Sequence, residues 1–160
     1  MTRTDTGQNQ SAMNTGNKPL EFNVVASDQG GKLTYELKPT NAASQPYLQG
    51  RNIKLPNGPD WYDISFHLVD NASQRLEFDP KEPICAQIGA GCPLPGSGNL
   101  SDGQLTQSSV GRKKLVLLNK NQDPPRQIAY TLCFVDAATS QPVEPFDPIM
   151  DNGGGGRIFL

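Results

Sequence analysis

The sequence predicts an all-β protein, an antiparallel β-sandwich of about seven to nine short strands. Three observations carry that prediction. Apolar residues recur at every second position in several separate runs, the period of a half-buried strand. The 160 residues include 16 glycines and 14 prolines, which punctuate the chain too often for long helices. Turn-forming residues separate the runs at short intervals, the pattern of a sandwich rather than of strands alternating with helices.

Residues 1–19 are mostly Thr, Gln, Asn, Ser, Gly and charge. Such a segment buries too little apolar surface to offset its ordering entropy, so a flexible arm is expected. It lacks the apolar core of a secretory signal. With an odd number of cysteines, 3 in all, this predicts a reducing, cytoplasmic setting. Leu20 to Ser27 alternates around Leu20, Phe22 and Val24, and Lys32 to Pro39 around Leu33, Tyr35 and Leu37. Asp28-Gln29-Gly30-Gly31 between them predicts a hairpin. Arg51 to Pro56 is a short strand, ended by the turn Pro56-Asn57-Gly58-Pro59.

Tyr62, Ile64, Phe66 and Leu68 alternate with Asp63, Ser65 and His67. After a turn at Asn71-Ala72-Ser73, Leu76 and Phe78 read as a short partner strand. Pro83 to Gly103 reads as a long loop holding Cys85 and Cys92, which are close enough in sequence to close a small ring or to remain two free thiols. Cys133 lies in a strand, so it is expected to sit apart from them. Strands follow at Gln104 to Val110, Lys114 to Asn119 and Gln127 to Asp136. A helix through Ile128, Leu132 and Val135 is the alternative for the last, disfavoured by its Tyr, Phe, Thr and Val content. The domain so drawn spans residues 20–152. Residues 153–160 form a Gly-rich tail with an apolar tip.

Two segments are spelled alike. From Tyr62 to Pro80 and from Tyr130 to Pro148, each reads Tyr, an aliphatic residue two on, Phe four on, then Val-Asp, Ala, Ser-Gln, Glu and Phe-Asp-Pro. This reads as a duplicated hairpin, with convergent hairpin grammar as the alternative. In either case Phe66 and Phe134 should face the space between the sheets. Val-Asp ends the strand with a carboxylate that accepts turn N–H groups. Asp79-Pro80 and Asp147-Pro148 stop the ladder, because proline holds the preceding residue extended and donates no bond.

The chemistry-bearing residues form no known catalytic pattern. His67 is the sole histidine, so any Ser-His-Asp or Cys-His arrangement must use it; Ser65 beside it lies on no nucleophile elbow. Cys85, Cys92, Cys133 and His67 have the donor types of a zinc site but not its spacing. Asp70, Asp79, Asp136, Asp147 and Asp151 form no calcium loop. Asp79 and Asp147 are better explained by turn-making than as a glycosidase pair. The Gly153 to Gly156 run precedes Arg157 rather than the Lys-Ser or Lys-Thr of a phosphate loop.

Charge excludes other classes. Lys plus Arg is 14 against 16 for Asp plus Glu, which suits neither a basic nucleic-acid binder nor an acidic solvating tail. The basic stretch Arg112, Lys113, Lys114, Lys120 and Arg126 has no interleaved aromatics for base stacking. No apolar run approaches the about 20 residues of a membrane span.

The reading that remains is a non-enzymatic module for protein–protein interaction or self-assembly, with no cofactor and no bound metal. Its partner is another protein or a second copy, not nucleic acid or membrane. Ile158, Phe159 and Leu160 are the expected binding residues, because a greasy tip on a loose tether gains by adding to a sheet edge. The basic stretch and the acidic residues Asp136, Glu144, Asp147 and Asp151 would help set register. The alternative is a carbohydrate- or calcium-binding module using the 83–103 loop or the turn at Trp61.

Overall fold

A computed structural model describes residues 17–56, 58–88, 105–121 and 126–153 and is almost entirely strand. In chain order the strands are β1 (Lys18–Gln29), β2 (Lys32–Pro39), β3 (Leu48–Gln49), β4 (Asn52–Leu55), β5 (Tyr62–Asn71) and β6 (Leu76–Phe78). β7 (Ile84–Ile88), β8 (Leu105–Val110), β9 (Lys114–Asn119), β10 (Arg126–Leu132), β11 (Phe134–Asp136) and β12 (Ile149–Asn152) follow. One five-stranded sheet has the order β2-β1-β5-β9-β8, a second the order β3-β4-β12-β10-β7, and β11 pairs with β6 in a two-stranded sheet. The all-β sandwich is thus present, and the 127–136 segment is strand rather than helix. Among the described residues no helix is long and apolar enough to cross a membrane.

The alternation places the core. Leu20, Phe22, Val24 and Ala26 of β1 and Tyr62, Ile64, Phe66 and Leu68 of β5 are buried, while the residues between them are half-buried on the outer face. Register puts Leu20 beside Ile64 and Phe22 beside Phe66, with the two rings 6.4 Å apart. Across the sandwich Phe66 meets Tyr130 at 5.9 Å. Phe134 packs on Phe78 at 4.9 Å and on Tyr35 of the opposite sheet at 5.1 Å. Each such side chain is worth roughly 1.5–3 kcal/mol on burial.

Local chemistry closes the ends. The β1–β2 hairpin turns on two residues rather than four, with Gly30 at φ 60° and Gly31 at φ 78°. A two-residue turn with both φ positive matches the strands' twist and favours glycine. Buried Ser44 accepts the Glu21 N–H on its hydroxyl at 2.8 Å, holding the 40–47 crossover to the first sheet. At one end Asn119 of β9 and Asn152 of β12 exchange side-chain amide bonds of 2.9 and 2.8 Å. Both are buried; each offers a matching donor and acceptor, so the pair fixes how the two sheets meet.

Four further features depart from what the sequence predicts. β1 pairs parallel with β5, and β12 with β4, so the sheets are mixed; period-two alternation carries no information on direction. Twelve strands are described, because the last long run breaks at Cys133, because Leu48–Gln49 forms a strand ahead of the Arg51–Pro56 run, and because Ile84–Ile88 forms one inside the 83–103 segment read as loop. The first strand begins at Lys18, inside the segment assigned to the arm.

The fourth departure concerns β6, which pairs with β11 rather than β5. The Cys133 N–H donates to the Pro83 carbonyl at 2.9 Å, and the Cys133 carbonyl accepts from Asp79 N–H at 2.9 Å. β6 and β7 therefore run along β11 and β10 with an excursion between them, so the small sheet continues the second large one. The same pairing overturns the separation of the thiols. Cys85 lies in β7 opposite Thr131, buried and beside Cys133, and both are free thiols. Cys92 lies outside the described residues.

Candidate functional site

The ridge Glu77 to Pro80 is flanked by grooves on both sides. β6 alternates, so Leu76 and Phe78 enter the core while Glu77 points outward. Asp79 then makes a tight turn, its carboxylate accepting the N–H of Lys81 at 2.9 Å and of Glu82 at 3.4 Å. Pro80 fixes the exit.

A second turn, joining β8 to β9, is fastened against this ridge. Gly111 N–H donates to the Lys114 carbonyl at 2.8 Å, and the Arg112 carbonyl accepts the Phe78 N–H at 2.8 Å. The Lys113 carbonyl accepts the Leu68 N–H at 2.8 Å. The Lys113 ammonium donates to the Leu76 carbonyl and pairs with Asp70 at 3.8 Å. Asp70, its side chain only 15% exposed, also accepts the N–H groups of Ala72 and Leu76 at 3.0 and 2.9 Å. One carboxylate thus holds a turn, a strand and a lysine together.

Two grooves flank the ridge and share Glu77 and Pro80. One, of about 390 Å³, adds Asp79, Lys81, Val135, Ser140 and Pro142. The other, of about 440 Å³, adds Phe78, Val110, Gly111 and Arg112. Ser140 has a positive φ of 62°, a conformation L residues rarely adopt. Val110, at 43%, is the one exposed large hydrophobic among the described residues. It ends β8, whose last five residues are all exposed and whose sequence, LTQSSV, carries no charge.

Most of the groups singled out in the sequence lie elsewhere. Ile158, Phe159 and Leu160 lie outside the described residues, as does most of the 83–103 loop. Trp61 is half-buried, and the Lys120 ammonium lies 5.5 Å from its ring centroid, so one face is taken by a cation rather than open to a sugar. Asp79 and Pro80 form part of the ridge. Asp147 accepts the Thr131 hydroxyl at 2.8 Å, and Pro148 passes its carbonyl to the Tyr130 N–H at 3.1 Å. Asp79 thus holds a turn, as its sequence implies, whereas Asp147 holds none and instead ties the chain to Thr131 of β10.

His67 is half-buried on the outer face of the first sheet, its Nε2 2.9 Å from a Glu21 carboxylate oxygen. Cys133 is pushed up to about 12 by burial and by neighbouring Cys85, the opposite of an activated thiolate. Among the described residues no three His, Cys, Asp or Glu side chains gather as a metal site. The basic and acidic segments do not meet at the described contacts: Lys113 pairs with Asp70, and Asp151 with Lys54 at 3.9 Å.

Glu77 and Val110 are absent from the residues the sequence singles out, and Arg112 enters there only as part of the basic stretch. Their signal is negative: Leu105 to Val110 lacks the apolar alternation of every other long strand. Compared with family models and with curated proteins, the chain matches none.

Proposed function

We propose that this protein is a non-enzymatic interaction module that takes up a strand of a partner protein on the outer edge of β8. One observation carries this reading: β8 ends the five-stranded sheet with β9 as its neighbour among the described residues, and five consecutive residues are exposed without a charge. An edge strand offers unpaired N–H and C=O groups, and native proteins that avoid pairing place charge or proline there. The other edge of the same sheet, β2, carries Lys32, Glu36, Lys38 and Pro39. Main-chain bonds at β8 would supply affinity, and the adjacent groove would supply selectivity.

The test compares what the wild-type chain and a Val110→Pro variant retain from an extract of the source cells. A protein held by the wild type and released by the variant is the expected result. Nothing retained, or equal retention by both, overturns the reading.

A further inference from the structure

We infer that the strand taken up by β8 is an acidic, extended segment of another protein, a conclusion that rests on the β8 reading above. Three features define what fits. The first is the backbone. Gly111 N–H bonds the Lys114 carbonyl at 2.8 Å, and Val110 pairs with Leu115. Alternation along an antiparallel pair then turns the N–H and C=O of Val110 away from β9, towards an incoming strand.

The second feature is the inner side. Val110 and Gln107 lie opposite Leu115 and Leu117, two fully buried core residues, so they share the core-facing side of the sheet. Both are nevertheless exposed: β8 overhangs the core. The groove of about 440 Å³ opens at its end, walled by Val110, Phe78 and Pro80, and admits an apolar side chain from the added strand.

The third feature is charge. Arg112 and Lys114 are exposed at the β8–β9 turn and make no ion pair with the described residues. Lys113 between them is engaged by Asp70 and the Leu76 carbonyl, which holds the turn in place. Glu77 is the one carboxylate lining the groove. Two unpaired cations at the end of an uncharged edge favour carboxylates on the strand that reaches them, and the attraction is screened by salt.

Short random peptides displayed on phage, selected on the folded full-length chain, test this directly. Selected sequences are synthesised and titrated by fluorescence anisotropy against wild type, Val110→Pro, and the double variant Arg112→Glu/Lys114→Glu, with a melting curve for each. The expected peptides are acidic and carry an apolar residue. Their affinity falls about tenfold in the double variant, weakens with salt and is lost in Val110→Pro. If Val110→Pro does not fold, N-methylation of the peptide backbone replaces it and should abolish binding.

Neutral or basic peptides that need the Val110 backbone but ignore the charge reversal overturn the acidic partner and leave the β8 reading standing. Peptides indifferent to both backbone blocks, or no enrichment at all, overturn both. A wild-type dimer in sedimentation that Val110→Pro dissolves makes a second copy the occupant and overturns the inference.

Discussion

Segment 62–80 runs along the middle of the first sheet and then leaves it, whereas segment 130–148 doubles back on itself. In the second, Leu132 bridges Phe146 and Val135 bridges Pro142, so a hairpin forms as its spelling implies. In the first, Leu76–Phe78 passes β5 by and pairs with β11. The turn chemistry is nonetheless the same. Asp70 accepts the Ala72 N–H at 3.0 Å, and Asp136 accepts the Ala138 N–H at 2.8 Å, each a side-chain turn two residues long. Like sequence therefore yields like turns, while the partner of the returning strand is decided by what lies beside it. For 62–80 the deciding neighbours are Asp70 and Lys113, which seize the Leu76 N–H and carbonyl respectively.

The largest expected effect tests whether the small β11–β6 sheet belongs to the core. Phe66 and Phe134 occupy matching places in the two segments and are both buried. Replacing either by Ala should cost about 3–5 kcal/mol in a denaturant melt, a large buried ring lost with a cavity left behind. A cost near that figure for Phe66 alone would make the small sheet an appendage to the sandwich.

The next test separates the two turn aspartates. Asp70 holds two N–H groups and pairs with Lys113, largely out of water, whereas the Asp136 carboxylate bond is exposed. Asp70→Ala should therefore destabilise by about 2 kcal/mol and Asp136→Ala by under about 1 kcal/mol. Equal costs would mean that Lys113 and Leu76 contribute nothing through Asp70.

These contrasts mark what the residues reveal by themselves. β5 is legible because a strand buried on one face writes period two. β10 is buried on both faces, yet Ile128, Tyr130 and Leu132 alternate with the smaller Ala129 and Thr131 and write the same period. The Gly30-Gly31 hairpin is legible because its backbone favours glycine. β6 is legible as a strand but not as a partner of β11, since three residues carry no register. β7 hides as loop: Cys85 and Ala86, on opposite faces, are both fully buried, so Ile84-Cys-Ala-Gln-Ile shows no alternation, and Pro83 precedes it. The ridge and the β8 edge go unseen because exposure beside a groove is created by strands distant in sequence.

The tyrosines that open the two segments should respond with opposite signs. Tyr62 is pushed up to about 12 by burial and then by Tyr47, whose ring lies 5.7 Å away. The Tyr130 hydroxyl is fully buried without a hydrogen-bond partner among the described residues, and burial pushes its pKa far up. Tyr62→Phe should lose about 1 kcal/mol, while Tyr130→Phe should gain up to about 1 kcal/mol by removing an unsatisfied group. Loss in both would show that the Tyr130 hydroxyl has a partner in solution.

The smallest effect concerns the serines that follow, Ser73 and Ser140. Ser73 gives its hydroxyl and its N–H to one Asp28 oxygen, each at 2.6 Å. These bonds, the hydroxyl first, lower the Asp28 pKa from its ordinary 3.8. A lowered carboxylate pKa means the contribution is whole at neutral pH and is lost as the pH falls below about 3.8, because the folded state must then accept a proton it resists. Ser140 has no such carboxylate; its N–H bonds the Asp136 carbonyl at 2.7 Å, and its backbone sits at φ 62°. Ser73→Ala should thus lower the melting temperature at pH 7 by an amount that shrinks towards pH 2. Ser140→Gly relieves the left-handed backbone and should give a gain of under about 1 kcal/mol, independent of pH. Melting curves of both variants across that range decide the matter, and a Ser73→Ala deficit unchanged at pH 2 would show that Asp28 is not its partner.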